Sequence, residues 1–333
     1  MPAKIQRNDF ISFARGFAIL TIVFYHYIIK TVGLPGVVIQ LANLGGGGVH
    51  LFIFASGFGL TFSSYKGYFS FLKKRFVSVL IPYYVTIVLI FCLSILFKVY
   101  MPSWPAFLSH IFLYKMFIEK YVGSYGTQFW FISTIIQFYL LFPLIKAFTV
   151  KLKPLHALTI SLLLSLSYSL IVAILGYSSL RVWNSFFLQY LWEFVLGMVV
   201  AQTGLLNHME KIKNWLWVLG CLISYLIMFV MVKYWPFYGK NLNDVFSFAG
   251  YFCVAVLAYK MASSIDVVKK VIFWVTGFSY ALFLIHMLVF NINAKFVFDT
   301  IYLKSIIIIF LQSLLLAWIY NFLLTFILSR LKP

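Results

Sequence analysis

Four ionisable side chains lie inside long apolar runs: Arg15, His26, Glu193 and His286. An ionisable group at membrane depth is costly and marks a functional site by default. Arg15 and His26 share one run, RGFAILTIVFYH, eleven residues apart. On a helix that spacing returns both side chains to one face, roughly 16 Å apart along the axis. Arginine presents a planar fork of donors that suits phosphate. Histidine accepts and returns protons near working pH. Each has a plainer reading too: an arginine snorkelling from a helix end, and a histidine hydrogen-bonded between packed helices. The shared face favours a common site. His286 is expected at the depth of His26. Glu193 is expected near the centre of its helix, where it needs a cationic partner or a proton. It then serves either in a structural ion pair or in catalysis and proton handling. His50, Ser56, Trp130 and Tyr139 are further candidates for a substrate-contacting or structural polar site. Lys73, Lys74 and Arg75 form a basic segment that either sets topology or binds phosphate.

These groups must be positioned by membrane helices. The chain has 333 residues, 63% hydrophobic and only 10% charged, where a soluble domain carries about a quarter charged residues. Its mean hydropathy is +1.00. Apolar runs long enough to cross a hydrocarbon core of ~30 Å recur from end to end. They predict an all-α integral membrane protein of about ten spans, near 11–30, 46–64, 77–97, 129–149, 156–176, 183–203, 214–232, 245–262, 271–292 and 304–328. The run 106–118 is too short to span and is interrupted by Lys115, which predicts an interfacial or re-entrant piece. With a cytoplasmic N-terminus, one side of the membrane holds Lys4, Arg7, Lys66, Lys73, Lys74, Arg75, Lys146, Lys151, Lys153, Lys260, Lys269, Lys270 and Lys332, among others. The opposite side, with Lys98, Lys120 and Lys240 among its residues, holds fewer. The positive-inside rule therefore predicts both termini in the cytoplasm. The net charge of +19 is explained by such helix-flanking residues, and nucleic acid is not expected as a partner.

A single membrane-embedded domain over 1–333 is expected, with no soluble domain, internal repeat or cleavable signal peptide. The first apolar run is too long for a signal h-region and lacks a small-residue cleavage site. Cys92, Cys221 and Cys253 have neither redox-motif nor metal-ligand spacing, so no metal site is expected. Gly45-Gly46-Gly47-Gly48 precedes the second span as either a flexible loop with a tight helix start or a ligand-contacting loop.

Five ordered motifs carry a resemblance across nearly the whole chain. They are Arg15 to His26; Gly48-Val49-His50-Leu51-Phe52-Ile53-Phe54-Ala55-Ser56-Gly57-Phe58; the basic segment ending in Arg75, followed by Ile81-Pro82-Tyr83; Trp130-Phe131-Ile132 with Tyr139 and Pro143; and Ser279-Tyr280 with Leu284-Ile285-His286. In these the chain resembles the acyltransferase-3 family of integral membrane acyltransferases. It departs from the family at Ser12, where an aspartate often stands, at Ile135, where many members have glutamate, and at Ser78, where many have a second arginine. The first two departures remove acidic partners, so the group that orients His26 is not legible. Many relatives also carry a fused extracytoplasmic hydrolase-like domain.

The resemblance implies catalytic importance for His26 and Arg15. It implies transfer from a cytoplasmic acyl donor, most often acetyl-coenzyme A, to a hydroxyl of a lipid-linked or surface polysaccharide in a cell membrane. No permanently bound cofactor is expected. Arg15 and Arg75, with Lys73 and Lys74 as a general positive field, would hold coenzyme A phosphates. Polysaccharide-assembly proteins are candidate partners. Two rival readings are a glycolipid or small-anion transporter or flippase, against which stands the lack of an inverted repeat, and a non-catalytic subunit of a polysaccharide-export complex. Donor hydrolysis, or thermal stabilisation by donor, separates the enzyme from both.

Overall fold

The computed structural model describes residues 8–63, 67–235 and 242–331. Lys4, Arg7, Lys66, Lys240 and Lys332, which enter the charge balance, lie outside the described residues. Among the described residues all regular structure is helical, as a hydrocarbon solvent demands when every backbone N–H and C=O must find an internal partner. Ten helical stretches are long and apolar enough to cross a membrane. The fourteen described α-helices are α1 (Asp9–Ile28), α2 (Gly36–Asn43), α3 (Gly48–Thr61), α4 (Tyr68–Phe97), α5 (Trp104–Ile111), α6 (Glu119–Val122), α7 (Trp130–Lys151), α8 (Pro154–Ile174), α9 (Phe187–Thr203), α10 (Asn214–Tyr234), α11 (Asp244–Ser263), α12 (Asp266–Gly277), α13 (Ser279–Phe296) and α14 (Leu303–Leu331).

The predicted span 271–292 is corrected. The chain breaks at Phe278 into α12 and α13, and the membrane-crossing helix runs Ser279–Phe296. The apolar run is continuous through the break, so hydropathy alone does not reveal it. The glycine run is also more ordered than a free loop. Leu44–Gly47 form a 3₁₀ turn that leads directly into α3.

The helices cluster into two compact units. The first comprises the described residues of 1–18, 44–64 and 140–277, and the second those of 19–43, 65–139 and 278–333. α1 and α7 each begin in one unit and end in the other. In the first unit α3 crosses α9, with α8 and α11 alongside. Gly57 and Gly197 make the crossing close: a Cβ on Gly57 would strike the Phe194 carbonyl, and one on Gly197 would strike the Phe54 carbonyl. Small residues at a membrane helix contact let backbones approach where no hydrophobic effect drives association. The Ser-Gly-Phe motif at 56–58 is thus a packing device. In the second unit α13 packs on α14 and both touch α4. α4 continues through Pro82, whose carbonyl accepts from Thr86 Oγ1 at 2.8 Å. The run 106–118 folds as α5, a turn, and a 3₁₀ turn over Tyr114–Phe117, in keeping with a segment that does not span.

Candidate active site

His26 stands in the last turn of α1 and His286 near the middle of α13, which is buried over most of its length. Both lie in the second unit. His26 Nδ1 is 3.0 Å from His286 Nε2, and the rings stack with centroids 5.2 Å apart. His286 Nδ1 lies 2.9 Å from the Phe283 carbonyl and 3.1 Å from that of Leu282. A carbonyl only accepts, so Nδ1 of His286 must carry its hydrogen. A buried ring with two N–H groups would be a full cation in an apolar interior, a costly arrangement. The neutral ring therefore offers the lone pair of Nε2, and His26 donates to it from Nδ1. That assignment leaves the lone pair of His26 on Nε2. When His26 takes a proton there, its bond to His286 persists. His286 is thus the hydrogen-bond partner of His26, and it is a neutral one.

Neighbouring groups hold this pair in register. Tyr27, next to His26, donates its hydroxyl to the His286 carbonyl at 2.8 Å and lies 2.6 Å from Ser313 Oγ on α14. Tyr280 donates to the Val79 carbonyl at 2.7 Å, tying α13 to α4. Phe283 meets the rings of both His286 and Phe131. Phe131 follows the buried Trp130, so the Trp130-Phe131 motif builds the aromatic wall beside the histidines.

Arg75 lies about two turns into α4, in the same unit. Its guanidinium sits over the Phe71 ring at 5.5 Å, and its buried Nε has no hydrogen-bond partner. Phe71 in turn meets the buried Tyr139 edge-on. Lys73 and Lys74 are exposed. Arg15 is an exposed residue of α1 in the first unit. Beside it Gly16 lies against Ile272 and Thr276 of α12, with no room for a Cβ.

The other predicted residues assemble elsewhere. Glu193 is fully buried, and its partner is His50, with Nδ1 2.8 Å from Glu193 Oε1. On the far side His50 Nε2 lies 3.9 Å from Asp244 Oδ1, and Gln189 donates to Asp244 Oδ2 at 2.6 Å. This first-unit cluster gives Glu193 a histidine as its hydrogen-bond partner. Ser56 is spent within its own helix, donating to the Phe52 carbonyl at 2.7 Å. No group of three or more His, Cys, Asp or Glu suited to a metal occurs among the described residues.

Lys115 and His110 are among the buried polar groups that escaped the sequence reading. Lys115, read as an interrupting charge on an outer segment, is fully buried, 5.6 Å above the Phe129 ring. His110 is also fully buried, with Nδ1 2.7 Å from Tyr83 Oη and Nε2 2.8 Å from Ser124 Oγ. The only available signal was the cluster of polar types in a run too short to span.

The fold and site are those of an all-helical chain with ten membrane-length helices, in which a histidine of the first is hydrogen-bonded to a second, buried histidine. The chain belongs to the acyltransferase-3 family: the family model described as an acyltransferase domain matches residues 8–330. It is a membrane acyltransferase. No curated protein and no solved structure matches it.

Proposed function

We propose that the chain transfers an acyl group, acetyl in the first instance, from acyl-coenzyme A to a hydroxyl of a lipid-linked or cell-surface polysaccharide, with His26 as the base. The supporting observation is the His26–His286 bond at 3.0 Å, which directs the lone pair of His26 to Nε2. In the reaction the acceptor hydroxyl gives its proton to Nε2. Its oxygen bonds to the acyl carbon, the thioester carbon–sulfur bond breaks, and the departing thiolate takes up a proton. The unpartnered Nε of Arg75 and the exposed Lys73 and Lys74 supply cations for the donor's phosphates. Arg15, an exposed cation on α1, is proposed to act on the donor as well. The family resemblance and the wealth of apolar spans support a cell-membrane location, and polysaccharide-assembly proteins are proposed partners.

Mass spectrometry of surface glycans from cells lacking the protein, and from cells complemented with it, tests this reading. The complemented glycan gains one acyl mass increment per modified hydroxyl. His26→Ala inserts normally and loses transfer by ~10²–10⁴-fold, as for loss of a general base. A His26→Ala protein with wild-type transfer rules the mechanism out.

A further inference from the structure

On the second unit, the segment between α4 and α7 forms an open pocket of about 290 Å³ lined in part by Tyr100, Ser103, Lys120, Tyr121, Ser124 and Tyr125. Ligand pockets run from ~300 to 1,000 Å³, so this one has room for a single ring rather than a chain. A buried chain of hydrogen bonds sets its wall. Ser124 Oγ donates to the Tyr121 carbonyl at 2.6 Å, so it accepts from His110 Nε2 at 2.8 Å. His110 Nδ1 then accepts from Tyr83 Oη at 2.7 Å. Burial holds His110 well below the ordinary histidine range, and the nearby Lys115 charge acts in the same direction, so the chain stays in its neutral, fully paired form. Tyr125 fixes the opposite wall by donating its hydroxyl to the Ser103 carbonyl at 3.0 Å.

The chemistry of the lining is specific. Tyrosine faces suit the apolar side of a sugar ring, and hydroxyls suit its edge. Lys120, 5.8 Å above the Tyr121 ring, is the only charged residue lining the pocket. The neighbouring acid, Glu119, is not among the lining residues. We propose that this pocket docks one pyranose ring of the acceptor, and that the ring carries a negative charge that Lys120 reads. The inference rests on the acceptor being a glycan, but its test needs no acyl donor and no turnover.

Saturation-transfer NMR on the protein in nanodiscs, with methyl β-D-glucuronoside and methyl β-D-glucoside as probes, provides that test. Gly123 lines the pocket, has an ordinary φ of −85°, and has nothing within 4 Å of an added Cβ. Gly123→Trp therefore adds an indole at the pocket's lining without strain at the backbone. The expected result is a stronger signal from the glucuronoside, weakened at least about tenfold (~1.4 kcal/mol) by Gly123→Trp. Lys120→Gln, at an exposed position, brings the glucuronoside down to the level of the glucoside. Lys120→Gln also keeps the test open if the tryptophan variant fails to fold. Equal signals from the two probes in the wild type, or a glucuronoside signal unchanged in both variants, overturns the proposal. Failure of acyl transfer in the wild type would instead refute the enzymatic reading and leave the binding result to stand by itself.

Discussion

The choice of a histidine as the partner of His26 has a measurable consequence. A carboxylate in that place would both fix the tautomer and stabilise the imidazolium formed on proton uptake. His286 fixes the tautomer through its own bonds to the Phe283 and Leu282 carbonyls and brings no negative charge. His286→Ala should lower kcat by roughly 10²-fold, within the range for loss of acid–base function. His286→Gln should keep more activity, because its amide oxygen can accept from His26 Nδ1. A pH profile of kcat for the three proteins checks this: a merely structural histidine would give two variants equally impaired, with unchanged profiles. Lys115 offers a second test. Burial pushes its amine from the ordinary 10.5 down to about 7. The unfolded chain thus keeps this proton up to about 10.5, while the folded chain releases it near 7. Between those values the unfolded state binds more protons, so stability rises with pH, and below 7 the penalty is present in full. Lys115→Met should raise the unfolding midpoint most at pH 6 and flatten the rise between pH 7 and 10, as read by thermal unfolding in detergent.

At the scale of elements, the glycines act through helix approach. Gly57 on α3 and Gly197 on α9 each face the other helix's backbone, Phe194 and Phe54 respectively. A methyl group there must push the helices apart. Gly57→Ala and Gly197→Ala should each cost ~1–3 kcal/mol, as for overpacking a tight core, seen as a lower unfolding midpoint. The pair should be less than additive, since one displacement relieves both clashes. The break at Phe278 belongs to this scale as well. It ends α12, and within the second unit His286 of α13 meets His26 while Tyr280 reaches α4.

Across the whole molecule, polar groups are gathered into separate buried sets and the remaining surface is left apolar for lipid. α10 shows the extreme: Ser224 is its one buried residue, and large apolar side chains cover its outside. Charge is rationed accordingly, and a guanidinium with an unpartnered Nε, as at Arg75, stands out. Arg75→Lys keeps the charge and loses the planar fork. It should raise the KM for acyl-coenzyme A more than that for the acceptor. Donor titration of purified protein in nanodiscs decides the matter: an unchanged donor KM with a raised acceptor KM would place Arg75 at the glycan instead.

The span count, the all-helical class and the family were legible from the chain, because the length of an apolar run against bilayer thickness is a one-dimensional quantity. That Arg15 and His26 belong to one helix was legible for a similar reason, since helical periodicity is local. The partners were not. His286 lies 260 residues from His26 and His50 lies 143 from Glu193, and no local pattern says which buried histidine meets which group. Only the packing of α13 beside α1, and of α3 across α9, made those choices. The same holds for Lys115, which reads as a solvated charge in sequence and is enclosed only once the segment between α4 and α7 folds over Phe129. Hydropathy reports how much a residue costs to bury, and tertiary structure alone decides whether that cost is met by a neighbour.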